Sequence, residues 1–159
     1  MAILRTFNEK GKYNDNDARK NVIEYILQPC KAKGYLYGYY NIYTECSYEE
    51  MENTANSFNK NNGIRLRHWV ISFSKSEVAS ASIVYMIGEN VVKFFKDYQV
   101  VYAVHSNTDN FHIHLVINSI SFVDGSRYKG SKNEFYALYN HIKSVLNYYG
   151  IRYFIYVNN

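Results

Sequence analysis

Three histidines carry the strongest chemical signal in the chain: His105, followed by His112 and His114. The segments that hold them, Tyr98–His105 and Phe111–Ile120, read as strands, and the short polar run Ser106–Asn110 between them predicts an antiparallel hairpin. Successive strand residues point to opposite faces. In Phe111–Ser119 one face is Phe111, Ile113, Leu115 and Ile117; the other carries His112, His114, Val116 and Asn118. If residue 105 pairs with 112, then 103 pairs with 114. All three imidazoles then share a face, and the small Ala103 leaves room for an ion among them.

Three neutral imidazoles with open remaining positions suit a catalytic divalent ion better than a closed structural one. Asp109, in the connecting turn, is near enough in sequence to accept the second ring nitrogen of a ligating histidine. Such an ion can be structural, can activate water, or can polarise a phosphate oxygen as a Lewis acid. The last role needs a nucleophile. A phenol can attack phosphorus and keep the product as a covalent ester, but with 18 tyrosines in the chain, composition does not choose among them.

The elements that must position these residues follow from periodicity and breakers. Ala2–Phe7 predicts a strand, and Asn8–Asp17 a polar loop whose Asn14, Asp15 and Asn16 are candidate N-caps. The helix they open runs to about Leu27, with Ala18, Val22, Ile23, Ile26 and Leu27 on its core face, and Pro29 stops it. Gly38–Thr44 reads as a strand. Ser47 with Glu50 has capping-box spacing, opening a helix that runs to about Lys60 before Asn61-Asn62-Gly63 breaks it. Leu66–Phe73 reads as a strand, Glu77–Lys96 as a long apolar helix, Lys132–Tyr149 as a helix on a 3.6-residue repeat capped by Gly150, and Ile151–Val157 as a last strand. The expectation is an α+β sandwich around a mainly antiparallel sheet of about five strands, with flanking helices.

At 159 residues, 47% hydrophobic and 20% charged, the chain suits one globular domain and excludes a disordered tail protein. No run approaches a membrane span, and residues 1–15 lack the apolar core of a secretory signal. Two cysteines exclude a disulfide scaffold or a Cys-rich zinc module, which points to the cytoplasm. A net charge of +4 is compatible with a nucleic-acid partner, and the tyrosines could stack on unpaired bases or simply fill the core.

The run from His105 through His112-Ile113-His114-Leu115-Val116-Ile117-Asn118 resembles the three-histidine motif of conjugative relaxases, the HUH-type DNA-nicking enzymes. Within them it is most similar to the MobP group that includes the T-DNA border endonuclease. Asn21-Val22-Ile23-Glu24-Tyr25-Ile26-Leu27-Gln28-Pro29 is similar to that group's N-terminal motif, in which a helical tyrosine attacks DNA. His68-Trp69-Val70-Ile71-Ser72-Phe73 resembles a family strand of the form His-x-x-x-Ser-Phe, and Lys143–Ile151 resembles the end of the catalytic domain. One departure stands out. Many members carry an acid two residues after the first histidine, where this chain has Asn107; Asp109 occupies a second position where an acid is common.

The resemblance implies that residues 1–159 form a single relaxase catalytic domain, alone or as the N-terminal part of a longer bacterial protein. It implies Mn²⁺ or Mg²⁺ at His105, His112 and His114, and Tyr25 as the nucleophile that nicks one strand at an origin of transfer and leaves a 5′-phosphotyrosyl link. Single-stranded origin DNA is the expected substrate, and accessory DNA-binding and coupling proteins are expected partners. Asp109 is the candidate to orient a histidine or take the phenolic proton. Arg65, Arg67, Arg127, Lys129, Lys132 and Asn118 are candidate DNA contacts. His68 is expected to support the sheet and His141 to lie at the surface. The rival readings are a replication-initiator nuclease of the same class using Tyr139, a two-histidine phosphoesterase, a non-catalytic single-strand-binding module, and a structural zinc protein. The phosphoesterase needs two His-x-Ser/Thr motifs, which the histidine run does not supply. His-only closed zinc sites are uncommon.

Overall fold

In the computed structural model, residues 1–7, 12–152 and 154–157 are described. Asn8–Gly11 of the expected polar loop and Tyr153 of the expected last strand lie outside them. Among the described residues the strands are β1 (Ala2–Phe7), β2 (Tyr37–Tyr40), β3 (Leu66–Ser74), β4 (Val100–His105), β5 (Asn110–Asn118) and β6 (Phe154–Val157). The helices are α1 (Ala18–Ile26), α2 (Ser47–Ser57), α3 (Ala81–Val91) and α4 (Lys132–Tyr148). The strands form one sheet in the order β2-β4-β5-β3-β1-β6, one strand more than expected, and only the β1–β6 pair is parallel. This is the α+β sandwich that the sequence predicts.

Period-two alternation sorts each strand between two apolar layers. Leu4, Trp69, Ile71, Phe73, Ile113 and Leu115 pack with Val84, Ile87 and Val91 of α3 and Leu138, Ile142 and Leu146 of α4. The opposite face packs Val101, Ala103 and Val116 against Val22, Ile23 and Ile26 of α1 and Met51 of α2. That second layer is short. Arg5, Val70, Ser72, His105, His112 and His114 border a cavity on this face instead of lying under a helix. The histidines therefore stand at the margin of α1, where the helical layer gives way to the cavity.

Several local expectations change. The N-cap position of α1 is Asp17, without a side-chain cap bond; Asp15 bonds the Asp17 N–H and Asn16 accepts from Arg65. Ser47 is the first residue of α2, not its cap, and Cys46 precedes it. Glu50 is drawn away from any capping box because its carboxylate accepts the N–H groups of Tyr43 and Thr44 and the Gln99 amide. A true capping box opens α4, where Ser131 and Glu134 satisfy each other's backbone. The apolar run from Glu77 becomes helical only after Ser80, whose Oγ accepts the Ile83 N–H, and ends in a 3₁₀ turn at Val92–Phe94. Gly38–Thr44 contributes a strand only as far as Tyr40. Among the described residues no helix is long and apolar enough to cross a membrane.

Candidate active site on the histidine face

The β4–β5 register pairs His105 with His112 and Ala103 with His114, so the three imidazoles share one face as the parity argument requires. The ring centroids of His105 and His114 are 4.0 Å apart, and those of His112 and His114 6.4 Å. Ala103 plays a different part from the one expected. It lies fully buried in the cluster under α1, so its small side chain lets the helix approach the sheet. The open space lies farther out, in a cavity of about 220 Å³ bordered by the histidines, Tyr25, Arg5, Lys31 and Thr108.

Each histidine is held through one ring nitrogen. His105 Nε2 is 2.8 Å from the Ile26 carbonyl at the end of α1, which accepts its proton. His114 Nδ1 is 3.0 Å from Nε2 of His68, and His112 Nδ1 is 3.4 Å from the Thr108 hydroxyl. The other nitrogen of each ring has no hydrogen bond among the described residues. Orientation of one nitrogen by a neutral partner, leaving the other for an ion, is the usual arrangement of a ligating histidine. Burial is the main cause that lowers the pKa of His105, His112 and His114 below the ordinary imidazole value, so each is a neutral donor at neutral pH. The donor set therefore fits a divalent ion. In the geometry observed, no three His, Cys, Asp or Glu side chains among the described residues converge closely enough to hold one.

Tyr25 stands over this face. Its ring is edge-on to His105 and His114, with centroids 6.0 and 6.1 Å away, and it is 43% exposed at the free edge of α1. Buried Ala18, Val22 and Ile26 turn the apolar stripe of the helix to the sheet and leave Tyr25 at its margin. A second cavity, of about 340 Å³, adjoins the first through Phe7, Tyr25 and His114 and is also lined by Asn21, Val22, Lys12 and His68. Neither cavity has a carboxylate in its wall among the described residues, whereas Arg5, Lys12 and Lys31 do line them.

The remaining candidates are dispersed. Asp109 is exposed in the β4–β5 turn, and no hydrogen bond joins it to a histidine. Asn118 shares the histidine parity but is fully buried, accepting from Arg19 and donating to the Met51 carbonyl and Gln99, so its polar atoms are satisfied internally. Arg65 and Arg127 are likewise turned inward. Arg65 holds Asn14, Asn16 and Asn61, while Arg127 holds the carbonyls of Lys60 and Ile64 and the side chains of Asn62 and Ser119. These two cations cement the 60–65 loop. Arg67 donates to the Lys129 carbonyl and lies beside exposed Lys132 in a different cavity, against α4. His141 is half-buried, with Nε2 3.1 Å from the Asn90 carbonyl. His68 is buried between Phe7 and His114, and its pKa is pushed down to about 3, chiefly by burial. Sequence reasoning missed Arg5 and Lys31. For Arg5 a signal existed, a charge alternating with Ile3 and Phe7 on one strand face; for Lys31, in a loop, there was none.

The family model for relaxases described as MobA/VirD2-like, nuclease domain, matches residues 25–151. A protein called rlx from Staphylococcus aureus is 30% identical over 77 residues, which is 48% of this chain and 24% of that relative. A second rlx protein from the same species is 29% identical over an equal span, and a MobA protein from Acidithiobacillus ferrooxidans is 36% identical over 61 residues, 35% of this chain and 14% of that relative. The matched regions cover a quarter or less of these curated relatives.

Proposed function

The chain belongs to the relaxase family, as a MobA/VirD2-like nuclease domain, and we propose that it nicks one DNA strand at an origin of transfer by tyrosine transesterification. Tyr25 is the nucleophile. Its oxygen forms a bond to the scissile phosphorus while the bond from phosphorus to the 3′ oxygen breaks, leaving a 5′-phosphotyrosyl link and a free 3′-OH. The phenol loses one proton and the leaving 3′ oxygen gains one. Because the phosphodiester is exchanged and not hydrolysed, its energy is retained and the nick can be resealed.

His105, His112 and His114 are the residues that would hold Mn²⁺ or Mg²⁺. Such an ion supplies Lewis-acid neutralisation of the non-bridging phosphate oxygens. The chain's own residues supply the remainder. Arg5 attracts the backbone to the cavity, α1 presents the phenol, and His68 orients His114. Asp109 is the candidate to accept the phenolic proton once DNA is bound. Arg67, Lys129 and Lys132 are candidate contacts to a more distant part of the strand. Single-stranded origin DNA is the substrate in this reading, with accessory DNA-binding and coupling proteins as partners in a bacterial cytoplasm.

The observation that carries the reading is the edge-on placement of Tyr25 against His105 and His114. The initiator alternative loses ground because Tyr139 lies on α4, against the opposite sheet face, with its hydroxyl donating to the Phe154 carbonyl. The test is incubation of the protein with labelled single-stranded oligonucleotides and Mn²⁺ or Mg²⁺. A covalent adduct that forms with wild type and not with Tyr25→Phe is the expected result; an adduct that survives Tyr25→Phe and disappears with Tyr139→Phe would overturn it.

A further inference from the structure

Tyr25 has a poorly restrained ring for a group that must attack one phosphorus atom. It is 43% exposed, and its aromatic neighbours touch it at the edge only. Exposed side chains exchange rotamers freely, and a nucleophile that wanders by an ångström forfeits much of the advantage of proximity. Lys31 closes the face of the ring. Its ammonium lies 3.6 Å from the ring centroid, well inside cation–π range. Among the described residues no carboxylate pairs with it, so the ring is its anchor.

Lys31 is also built into the scaffold by its main chain. The turn after α1 is closed by the Lys31 N–H to the Gln28 carbonyl at 2.9 Å. The Lys31 carbonyl accepts the N–H of Ser106 at 3.2 Å, directly after His105. One residue is therefore tied through its backbone to the histidine strand and through its side chain to the phenol on α1.

We propose that Lys31 is a positioning residue for the nucleophile, its ammonium seated on the Tyr25 ring to hold the phenol in register with the histidine face. This rests on the assignment of Tyr25 given above. It differs from a phosphate contact, which would act on DNA affinity and its salt dependence.

Two measurements on the 159-residue chain test it, each on wild type, Lys31→Met and Lys31→Arg. The first is ¹⁹F NMR of DNA-free protein with 3-fluorotyrosine at position 25. The second is the rate of adduct formation against oligonucleotide concentration, using an oligonucleotide that gives the Tyr25-dependent adduct. Thermal unfolding confirms that each variant is folded. The expected result is a displaced ¹⁹F resonance in Lys31→Met, with its saturating rate lowered about fivefold to tenfold and its half-saturation concentration changed less than twofold. Lys31→Arg, which keeps a cation over the ring, stays within about twofold of wild type. An unchanged resonance and rate in Lys31→Met overturn the proposal. So does a defect confined to half-saturation and its salt slope. An adduct that persists in Tyr25→Phe instead removes the nucleophile assignment, so the two failures are distinguishable.

Discussion

Replacing Asn118 by alanine tests whether this residue belongs to the core or to a DNA-binding surface. Its side chain accepts from Arg19 Nε at 3.2 Å and donates to the Met51 carbonyl at 3.1 Å and to Gln99 Oε1 at 2.9 Å, all in a fully buried environment. The two neutral bonds are worth about 1 kcal/mol each and the bond to the guanidinium roughly 1.5–3 kcal/mol. Arg19 is itself fully buried, its Nη2 already lacks a partner, and burial is the main cause that draws its pKa down to about 10. Loss of the Asn118 oxygen leaves that charge with Asn61 as its remaining hydrogen-bonded partner. We expect a cost of about 4 kcal/mol in urea unfolding followed by the fluorescence of Trp69. For a chain of this length the midpoint of thermal unfolding falls by about 8–16 °C. Arg19→Met should cost less in the Asn118→Ala background than alone, with a coupling of about 1–2 kcal/mol. A loss below about 1 kcal/mol, together with weakened binding to single-stranded DNA in a protein of unchanged stability, would refute the reasoning and return Asn118 to the DNA surface.

Three further outcomes follow from the geometry. Calorimetric titration with Mn²⁺ should show each of His105→Ala, His112→Ala and His114→Ala binding at least tenfold more weakly than wild type, and His68→Phe about tenfold more weakly through loss of the His114 bond; wild-type affinity in His114→Ala would exclude the three-histidine site. For Glu50, burial alone would raise the pKa, but hydrogen bonds from Thr44, Tyr43 and Gln99 outweigh it and hold the carboxyl below its ordinary value. A depressed folded-state pKa contributes stability above the unfolded value, about 4.3, which is lost as pH falls through the folded one. Glu50→Gln should therefore flatten the decline of stability on acidification below about pH 5, and an unaltered slope would count against it. Gly125→Ala should cost about 2–3 kcal/mol in chemical denaturation, because Gly125 has φ +69° and an added Cβ would meet the Phe58 ring at 2.5 Å; a neutral substitution would show that the loop shifts freely.

What was legible in the sequence is what short range decides. The β4–β5 register follows from strict alternation on both sides of a short turn, since slippage by one residue would turn His112 and His114 into the α3–α4 layer and Ile113 and Leu115 out of it. The helix carrying Tyr25 is bounded by its apolar spacing and by Pro29. What was not legible depends on neighbours distant in sequence. His68 joins the site only because β3 pairs with β5, setting Val70 opposite His114 and His68 opposite Val116. Arg65, Arg127 and Asn118 look like surface polar residues until the 60–65 loop and α2 close over them. Glu50 fits a capping box on spacing alone, yet two N–H groups of the preceding loop and the Gln99 amide compete for its carboxylate more effectively than its own helix end.

The strand order bears on how the molecule opens. β3 and β5 are central and share a nine-residue antiparallel register, whereas β1 is joined at its outer side to the four-residue β6, a pairing between opposite ends of the described chain. Closing so long a loop is entropically costly, so we expect the β1–β6 seam to form late and to yield first. Amide hydrogen exchange should then read out two classes of opening. The amides of β6 and those of β1 directed at it exchange through local fraying, and those between β3 and β5 only on global unfolding. His112 and His114 sit in the slow class. Arg5, across the cavity from them, belongs to the strand that borders the fast one.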